Sequence, residues 1–475
     1  MEADMHENVF TNRDILPAAL DGSAVDYRLL HRAVQDCLAK GDRDSVTAFF
    51  EEQHPADTAN FLGGLEQQEI CAILRVLPLD VRAEVFGYFP DALQGDLARC
   101  LGRAELAELV GEMSADERAD LFNRLSEEQR EALLPALAQA EREDIRRLAG
   151  YAEGTVGAVM TSEYATLAPD LTARAAIDKL RLEAPAKETI YRAYVIDADR
   201  RLVGAVRLAD LILAGPEERV EALMERATHA VRVDDDQEVA ARRIARYDVL
   251  ALPVVDADGR IVGIVTHDDA MDVAEQEATE DFHKHGTVAN LTTSLKDATI
   301  ALLYRKRVFW LVILVFGNLF SGAGIAAFED LIAANVALVF FLPLLIDSGG
   351  NAGSQSATLM VRALATGDVH LRDWGRMLGR EAMVAGLLGL TMAVAVSAIG
   401  LVRGGPEIAL IVSTTMVIIV LVGSLVGMSL PFLLSRFKLD PASASAPLIT
   451  SISDASGVLI YFAIATTVLP AATGA

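Results

Sequence analysis

The feature that most constrains this chain is its carboxyl-terminal third, a succession of long apolar runs, one of which carries an acid in its interior. The run DPASASAPLITSISDASGVLIYFAIATTVL begins at Asp440 and encloses Asp454. Five apolar stretches, roughly 307–328, 335–364, 377–401, 408–434 and 442–470, each exceed the ~20 residues that cross a hydrocarbon core. A carboxylate in such a segment costs about 2.5–3.5 kcal/mol on insertion scales, so it faces a bundle interior or a water-filled path and marks function. The other reading of Asp454 is a protonated acid making a structural hydrogen bond. Asp440 and Asp454 are 14 residues apart, about 21 Å along a helix, so with Asp440 at the cytosolic edge beside Lys438, Asp454 is expected near the bilayer middle. Ser443, Ser445, Thr450, Ser451 and Ser453 add hydroxyls to the same segment.

Basic residues set the orientation. Arg305, Lys306 and Arg307 precede the first stretch, Arg362, Arg372, Arg376 and Arg380 follow the second, and Arg436 and Lys438 follow the fourth, whereas the opposite side has only Arg403. The amino-terminal part and both basic loops are therefore expected in the cytosol and the carboxyl terminus outside.

The second stretch contains Pro343 and then Asp347-Ser-Gly-Gly-Asn351-Ala-Gly-Ser-Gln355. This composition predicts a broken helix whose freed carbonyls could ligate a cation, since irregular backbone at membrane depth is tolerated where it lines a cavity. A close contact between helices through small residues would also explain the glycines, but not Asp347, Asn351 and Gln355 together.

The charge is unevenly divided. From Arg305 onward there are ten Lys/Arg and nine Asp/Glu, which leaves 32 basic and 58 acidic residues in the first 304. So acidic a soluble part argues against nucleic acid and favours cations. Cys37, Cys71 and Cys100 all fall there without CxxC or Cys/His spacing, and read as reduced, mostly buried thiols. The polar, acidic opening is not expected to act as a signal peptide.

Residues 1–26 read as a flexible leader. Over 27–150, apolar residues three and four apart predict short amphipathic helices. Their starts are punctuated by HPAD at 54–57, LPLD at 77–80 and FPDA at 89–92, and by capping boxes at Ser114 and Ser126. This is the pattern of a right-handed stack of helical hairpins, an all-α domain with no catalytic constellation. Over 154–275 the pattern changes to βαβ, and VIDADRRLVGAVR from Val195 repeats as VVDADGRIVGIVT from Val254, an offset of 59 residues.

This duplication resembles a tandem pair of CBS domains, regulatory modules that often bind adenosine nucleotides. In the second copy Gly263-Ile-Val-Thr266-His-Asp-Asp269 is similar to the ribose-holding stretch of nucleotide-binding members, which makes Thr266 and Asp269 candidates for ATP or another adenosine nucleotide. The first copy has Arg207 in place of the Thr, so at most one site is expected, and Thr266/Asp269 could instead cap a helix.

Residues 276–304 form an acidic linker and connecting helix. Asp269, Asp272, Glu277, Glu280 and Asp281 crowd about three helical turns, where like charges three and four apart repel unless a cation joins them. His283 and His285, two residues apart, would point to different helix faces and are not read as a metal pair.

Taken together, LPLLIDSGGNAGSQSATLMVRALATGDV, DPASASAPLITSISDASGVLIYF and this domain order resemble the MgtE family of magnesium channels. The resemblance implies a multidomain membrane protein and not an enzyme: a cytosolic helical domain, a CBS pair, a connecting helix and, over 305–475, a five-helix transmembrane domain in the inner membrane. It implies a homodimer with the pore between subunits, lined by the second and fifth spans. Asp454 matches the family's central pore aspartate, Asp440 its cytosolic-mouth aspartate, and Gly350, beside Asn351, its carbonyl-bearing glycine. Cytosolic Mg²⁺ would be sensed by Glu84, Asp116, Asp120, Asp248, Asp269, Asp272, Glu277, Glu280 and Asp281. Two departures stand out, Ala446 where some members have Asn, and Asp347 where a small residue is common. A cation-coupled secondary transporter, a transporter of another divalent ion such as Co²⁺, and a membrane-anchored nucleotide sensor are the alternatives.

Overall fold

The structure is a computed structural model that describes residues 27–226, 229–286, 288–289 and 298–469. The predicted leader and part of the predicted connecting helix lie outside the described residues. The chain divides into two compact units, 1–274 and 275–475.

The first unit opens with ten short helices: α1 (Tyr27–Ala39), α2 (Arg43–Glu51), α3 (Pro55–Leu62), α4 (Gln67–Leu74), α5 (Leu79–Gly87), α6 (Asp91–Cys100), α7 (Arg103–Glu112), α8 (Ala115–Arg124), α9 (Glu127–Leu133) and α10 (Gln139–Leu148). From α3 onward each packs on the next but one, α3 on α5, α5 on α7, α4 on α6, α6 on α8. This builds two rows that share one core, which includes Leu62, Leu74, Phe86, Leu97, Leu109 and Leu121. The punctuation works through caps. Ser126 accepts from the Gln129 amide at 3.3 Å while Gln129 accepts from the Ser126 amide at 3.1 Å. The box expected at Ser114 does not form, because its side chain makes no cap bond to the helix amides. The expectation of three reduced thiols holds for the buried Cys37 alone. Cys71 on α4 and Cys100 on α6 are joined in a disulfide, since those helices pack side by side and bring the Cα atoms to 6.6 Å.

Two three-stranded sheets follow. β1 (Tyr164–Leu167) runs parallel to β2 (Thr189–Ile196), which is antiparallel to β3 (Leu202–Arg207). β4 (Val231–Arg232), β5 (Ala251–Val255) and β6 (Ile261–Thr266) repeat that order. The duplication holds to the residue, with Val195 opposite Gly204 and Val254 opposite Gly263. Helices α11 (Ala173–Glu183), α12 (Leu208–Leu213), α13 (Val220–Leu223) and α14 (Gln237–Tyr247) accompany the sheets. The two copies join at their acidic turns, where Leu202 donates to Gly259 at 3.1 Å and Ile261 to Arg200 at 3.2 Å. Helix α15 (His267–His285) leaves β6.

Among the described residues of the second unit, four helices are long and apolar enough to cross a membrane: α16 (Ile300–Ala326), α18 (Ala337–Ala365), α19 (Trp374–Arg436) and α20 (Ala446–Val468), with the short α17 (Glu329–Ala334) between the first two. Gly405 interrupts α19 with φ 77° and ψ −173°, a conformation that glycine adopts without strain. There the helix doubles back, so Gly400 lies against Ala409 and Gly389 against Val417. Helix α18 runs parallel to the second half of α19, as Gly349 meets Ile419 and Gly353 meets Gly423. It runs antiparallel to α20, as Gly350 meets Thr450 and Ile346 meets Gly457. The core between them includes Phe341, Leu345, Val412, Ile419, Tyr461 and Phe462.

Candidate metal sites and conduction path

Helix α18 corrects the expectation of a broken span. It is continuous from 337 to 365, with Pro343 inside it. Proline withholds a single N–H and so releases one carbonyl, four residues earlier, while the carbonyl of Gly350 sits in regular helix. The glycines serve close packing instead. A Cβ on Gly353 would lie 2.7 Å from the Gly423 carbonyl, so the two backbones touch where any side chain would hold them apart.

The polar residues lie on the other face. Asp347, Asn351, Gln355 and Thr358 are spaced four, four and three residues apart, which is one stripe of a helix, and all four are exposed. The Asn351 amide donates to an Asp347 carboxylate oxygen at 3.0 Å. Asp454, half-buried on α20, lies within the electrostatic reach of Asp347. The structure therefore brings Asp347, Asn351 and Asp454 to one side of the unit. Gly350 is buried behind this face, against Thr450. The hydroxyls of Thr450 and Ser451 turn back onto the Pro447 carbonyl at 2.9 and 3.0 Å.

Asp440 is not on the helix that carries Asp454, contrary to the 21 Å expectation. It caps the short helical turn Pro441–Ser443, accepting from the Ala442 amide at 2.8 Å, and α20 begins only at Ala446. Its other oxygen accepts from Lys284 Nζ at 2.5 Å, and Lys284 pairs with Glu280 as well. Burial opposes the Lys284 charge, but its hydrogen bonds to Asp440 and Glu280 outweigh that and hold its pKa above the ordinary value. Burial, and then the field of Asp440, push the Asp281 carboxyl up. One turn away, His285 Nε2 lies 3.0 Å from Thr358 Oγ1, and burial lowers the His285 pKa. Thus the end of α15 touches the Thr358 end of the polar stripe. Lys284 was not among the residues singled out from sequence, although Glu280 and Lys284 stand at the i,i+4 spacing that pairs on a helix.

In the first unit, the acids at the start of α8 and the start of α15 converge. Burial, and then the field of Asp116, push Asp269 up to about 8, with Asp268 and Glu188 adding to it. Asp116 is itself raised by burial, one of its oxygens lacks a hydrogen-bond partner, and the field of Asp268 acts on it. Burial, and then Asp116, raise Glu117 to about 7. Burial raises Asp120 to about 6 against the pull of Arg124, its partner at 3.3 Å. Glu117, Asp268 and Glu188 join this group although no local pattern marks them, because only the packing of α8, the start of α15 and the residue before β2 brings them together. Arg118 and Glu163 pair beside it. Glu84 stays exposed on α5, and Asp248 is the exposed left-handed residue that ends α14 (φ 55°), so neither lies in the acid group. Asp272 and Glu277 lie along α15. Among the described residues no three His, Cys, Asp or Glu side chains converge closely enough to hold a metal ion as they stand. Thr266, expected with Asp269 to hold a nucleotide, donates to Asp269 at 2.6 Å, and in the first copy Arg207 makes a two-bond pair with Asp210 at 2.8 Å.

Comparison with known proteins matches these elements in order. The MgtE intracellular N domain matches residues 53–154, the CBS domain 156–217 and 220–275, and the MgtE divalent cation transporter 342–464. The magnesium transporter MgtE of Thermus thermophilus is 39% identical over 92% of this chain and 98% of its own. That of Bacillus subtilis is 32% identical over 90% and 95%. The crystal structure of the soluble part of a magnesium transporter superposes with a TM-score of 0.50 at 30% identity, covering 53% of this chain and all of the other. With its N domain, CBS pair and apolar carboxyl-terminal helices in that order, the chain belongs to the MgtE family of divalent cation transporters.

Proposed function

We propose that this chain is a Mg²⁺ channel of the inner cell membrane that works as a homodimer and is closed by cytosolic Mg²⁺. The observation that carries the reading is the exposed stripe Asp347, Asn351, Gln355 and Thr358 on a helix long enough to span the membrane. Such groups do not face lipid, and a second copy laid against this side would enclose them around a water-filled path. Each copy then contributes Asp454, Asp347 and Asn351. Mg²⁺ favours six oxygens in octahedral array and gives up water reluctantly, so carboxylates spaced to keep part of its hydration shell suit it. Counting the two halves of α19 separately gives five spans, with the amino-terminal domains in the cytosol and the carboxyl terminus outside. The membrane potential then drives the divalent ion inward with about 4.6 kcal/mol per 100 mV.

Gating follows from the acids of the cytosolic regions. Asp116, Asp120 and Asp269 in one group, and Glu280 and Asp281 at the end of α15, where Lys284 offsets only part of the repulsion, would each be drawn together by a divalent ion. Glu84, Asp248, Asp272 and Glu277 would complete such sites by moving. This is a two-state element biased by its ligand. An adenosine nucleotide at Thr266 and Asp269 of the second CBS copy would bias the same element.

The test is Mg²⁺ uptake into proteoliposomes, with and without a pH or Na⁺ gradient, for the native chain and Asp454→Ala. Uptake that follows the voltage alone and is lost in the variant is expected. Undiminished uptake by Asp454→Ala would remove that acid from the path, and strict dependence on a second ion's gradient would favour a coupled transporter.

A further inference from the structure

The doubling back of α19 at Gly405 puts its first residue, Trp374, and its last, Arg436, at the same end of the membrane unit. Between them lies an open groove of about 510 Å³, walled by Leu371, Trp374, Val426, Leu430 and Leu433, with Arg436 at its edge. We propose that this groove binds an anionic glycerophospholipid, one acyl chain along the apolar wall and the phosphate on Arg436.

Position argues for a lipid. The groove lies beside the basic loops at the cytosolic ends of the spans, at the depth where tryptophan marks the interface. Leu371, Trp374 and Leu433 are exposed in it, and an apolar wall at that depth meets the first carbons of an acyl chain. The polar stripe that calls for a second copy is on α18, whereas the groove is built from the two ends of α19 and the turn before it.

Charge argues for an anionic headgroup. Arg436 is the one charged residue of the lining, and among the described residues it has no ion pair or hydrogen bond from its side chain. Its planar fork suits a phosphate, which it can hold through two parallel hydrogen bonds. Arg372 and Arg376 flank Trp374, and Lys438 follows Arg436, so the local field is positive. The nearest acid in sequence, Asp373, is engaged by the His370 amide at 3.0 Å. Basic pockets between spanning helices on the cytosolic side recognise anionic headgroups in this way.

The chain has two tryptophans, Trp310 and Trp374, so Trp310→Phe leaves the groove with the sole indole. This full-length variant would be placed in phosphatidylcholine vesicles containing a fixed fraction of lipid with brominated acyl chains, either phosphatidylglycerol or phosphatidylcholine. Brominated phosphatidylglycerol is expected to quench Trp374 with an apparent affinity about fivefold higher than brominated phosphatidylcholine. Adding Arg436→Gln should abolish the difference and Arg436→Lys should retain most of it. Equal quenching by both lipids would reduce the groove to ordinary lipid contact and overturn the proposal. An absence of quenching by either would also overturn it, by showing the groove to be covered by protein.

Discussion

Lys284 and Asp440 lie 156 positions apart in sequence, yet the lysine ammonium is 2.5 Å from the Asp440 carboxylate. The same ammonium pairs with Glu280 one turn back on α15. A tethered cation thus joins Asp440 to the end of the acidic helix.

If that tether contributes to closure, Lys284→Gln leaves Glu280, Asp281 and Asp440 without their cation. Both partners are about a third exposed, so solvent screening limits the pair to about 0.5–1 kcal/mol. Mg²⁺ flux at low cytosolic Mg²⁺ should rise roughly two- to fivefold, and high cytosolic Mg²⁺ should restore closure by replacing the ammonium. Flux assays over a range of internal Mg²⁺ would check this, and an unchanged closing curve would exclude the tether from gating.

Asp347 shares a face with Asn351 and Asp454. Replacing it with Ala removes a carboxylate and the acceptor of the Asn351 amide. In water a carboxylate about 4 Å from a divalent cation attracts it by about 2 kcal/mol, so Mg²⁺ conductance should fall roughly tenfold or more, while the exposed Asp347–Asn351 bond contributes little to folding and the thermal midpoint stays close to native. Conductance equal to native would place Asp347 off the ion path.

The acid group of the first unit predicts a pH dependence of definite sign. The folded pKa values of Asp120, Glu117 and Asp269 are raised to about 6, 7 and 8. A raised carboxyl means that the packed arrangement binds more protons than the separated one. Its contribution is full below the ordinary carboxylate pKa of about 4 and is lost as pH climbs through about 6 to 8. Mg²⁺ and protons compete for these oxygens, so Mg²⁺ should protect residues 27–286 from limited proteolysis in the full-length protein more strongly at pH 8 than at pH 6. Equal protection at both pH values would show that the ion acts elsewhere.

Gly423→Val tests the close contact within the membrane unit. Its Cβ would meet the Gly349 carbonyl on α18. Overpacking of this kind costs about 1–3 kcal/mol, so the detergent-solubilised protein should unfold at a lower temperature, whereas Gly386→Val, with open space around it, should not. Equal thermal midpoints for the two variants would mean that α18 and α19 do not pack as described.

Much of this architecture is legible in the sequence because its signals are local. The repeat at offset 59 is a hydrogen-bond register written twice, and Val195 opposite Gly204 and Val254 opposite Gly263 follow from it. The apolar stretches are equally plain, since hydrocarbon requires length and composition and little else. Proline and three glycines, by contrast, predict a broken helix in isolation. α18 is unbroken because packing against Gly423 and Thr450 stabilises it. Glycine costs a helix only about 1 kcal/mol per residue, and tight packing offsets a loss of that size.

What the sequence by itself determined is the order of domains, the duplication, the membrane-spanning segments and the presence of an acid inside one of them. The tertiary structure decided which acids are neighbours: Asp347 with Asp454, Asp116 with Asp269, and Asp440 with Lys284, which neutralises it. Charge interactions depend on distance and burial, which are set by how helices far apart in the chain pack. Periodicity and composition carry no information about either until those helices have met.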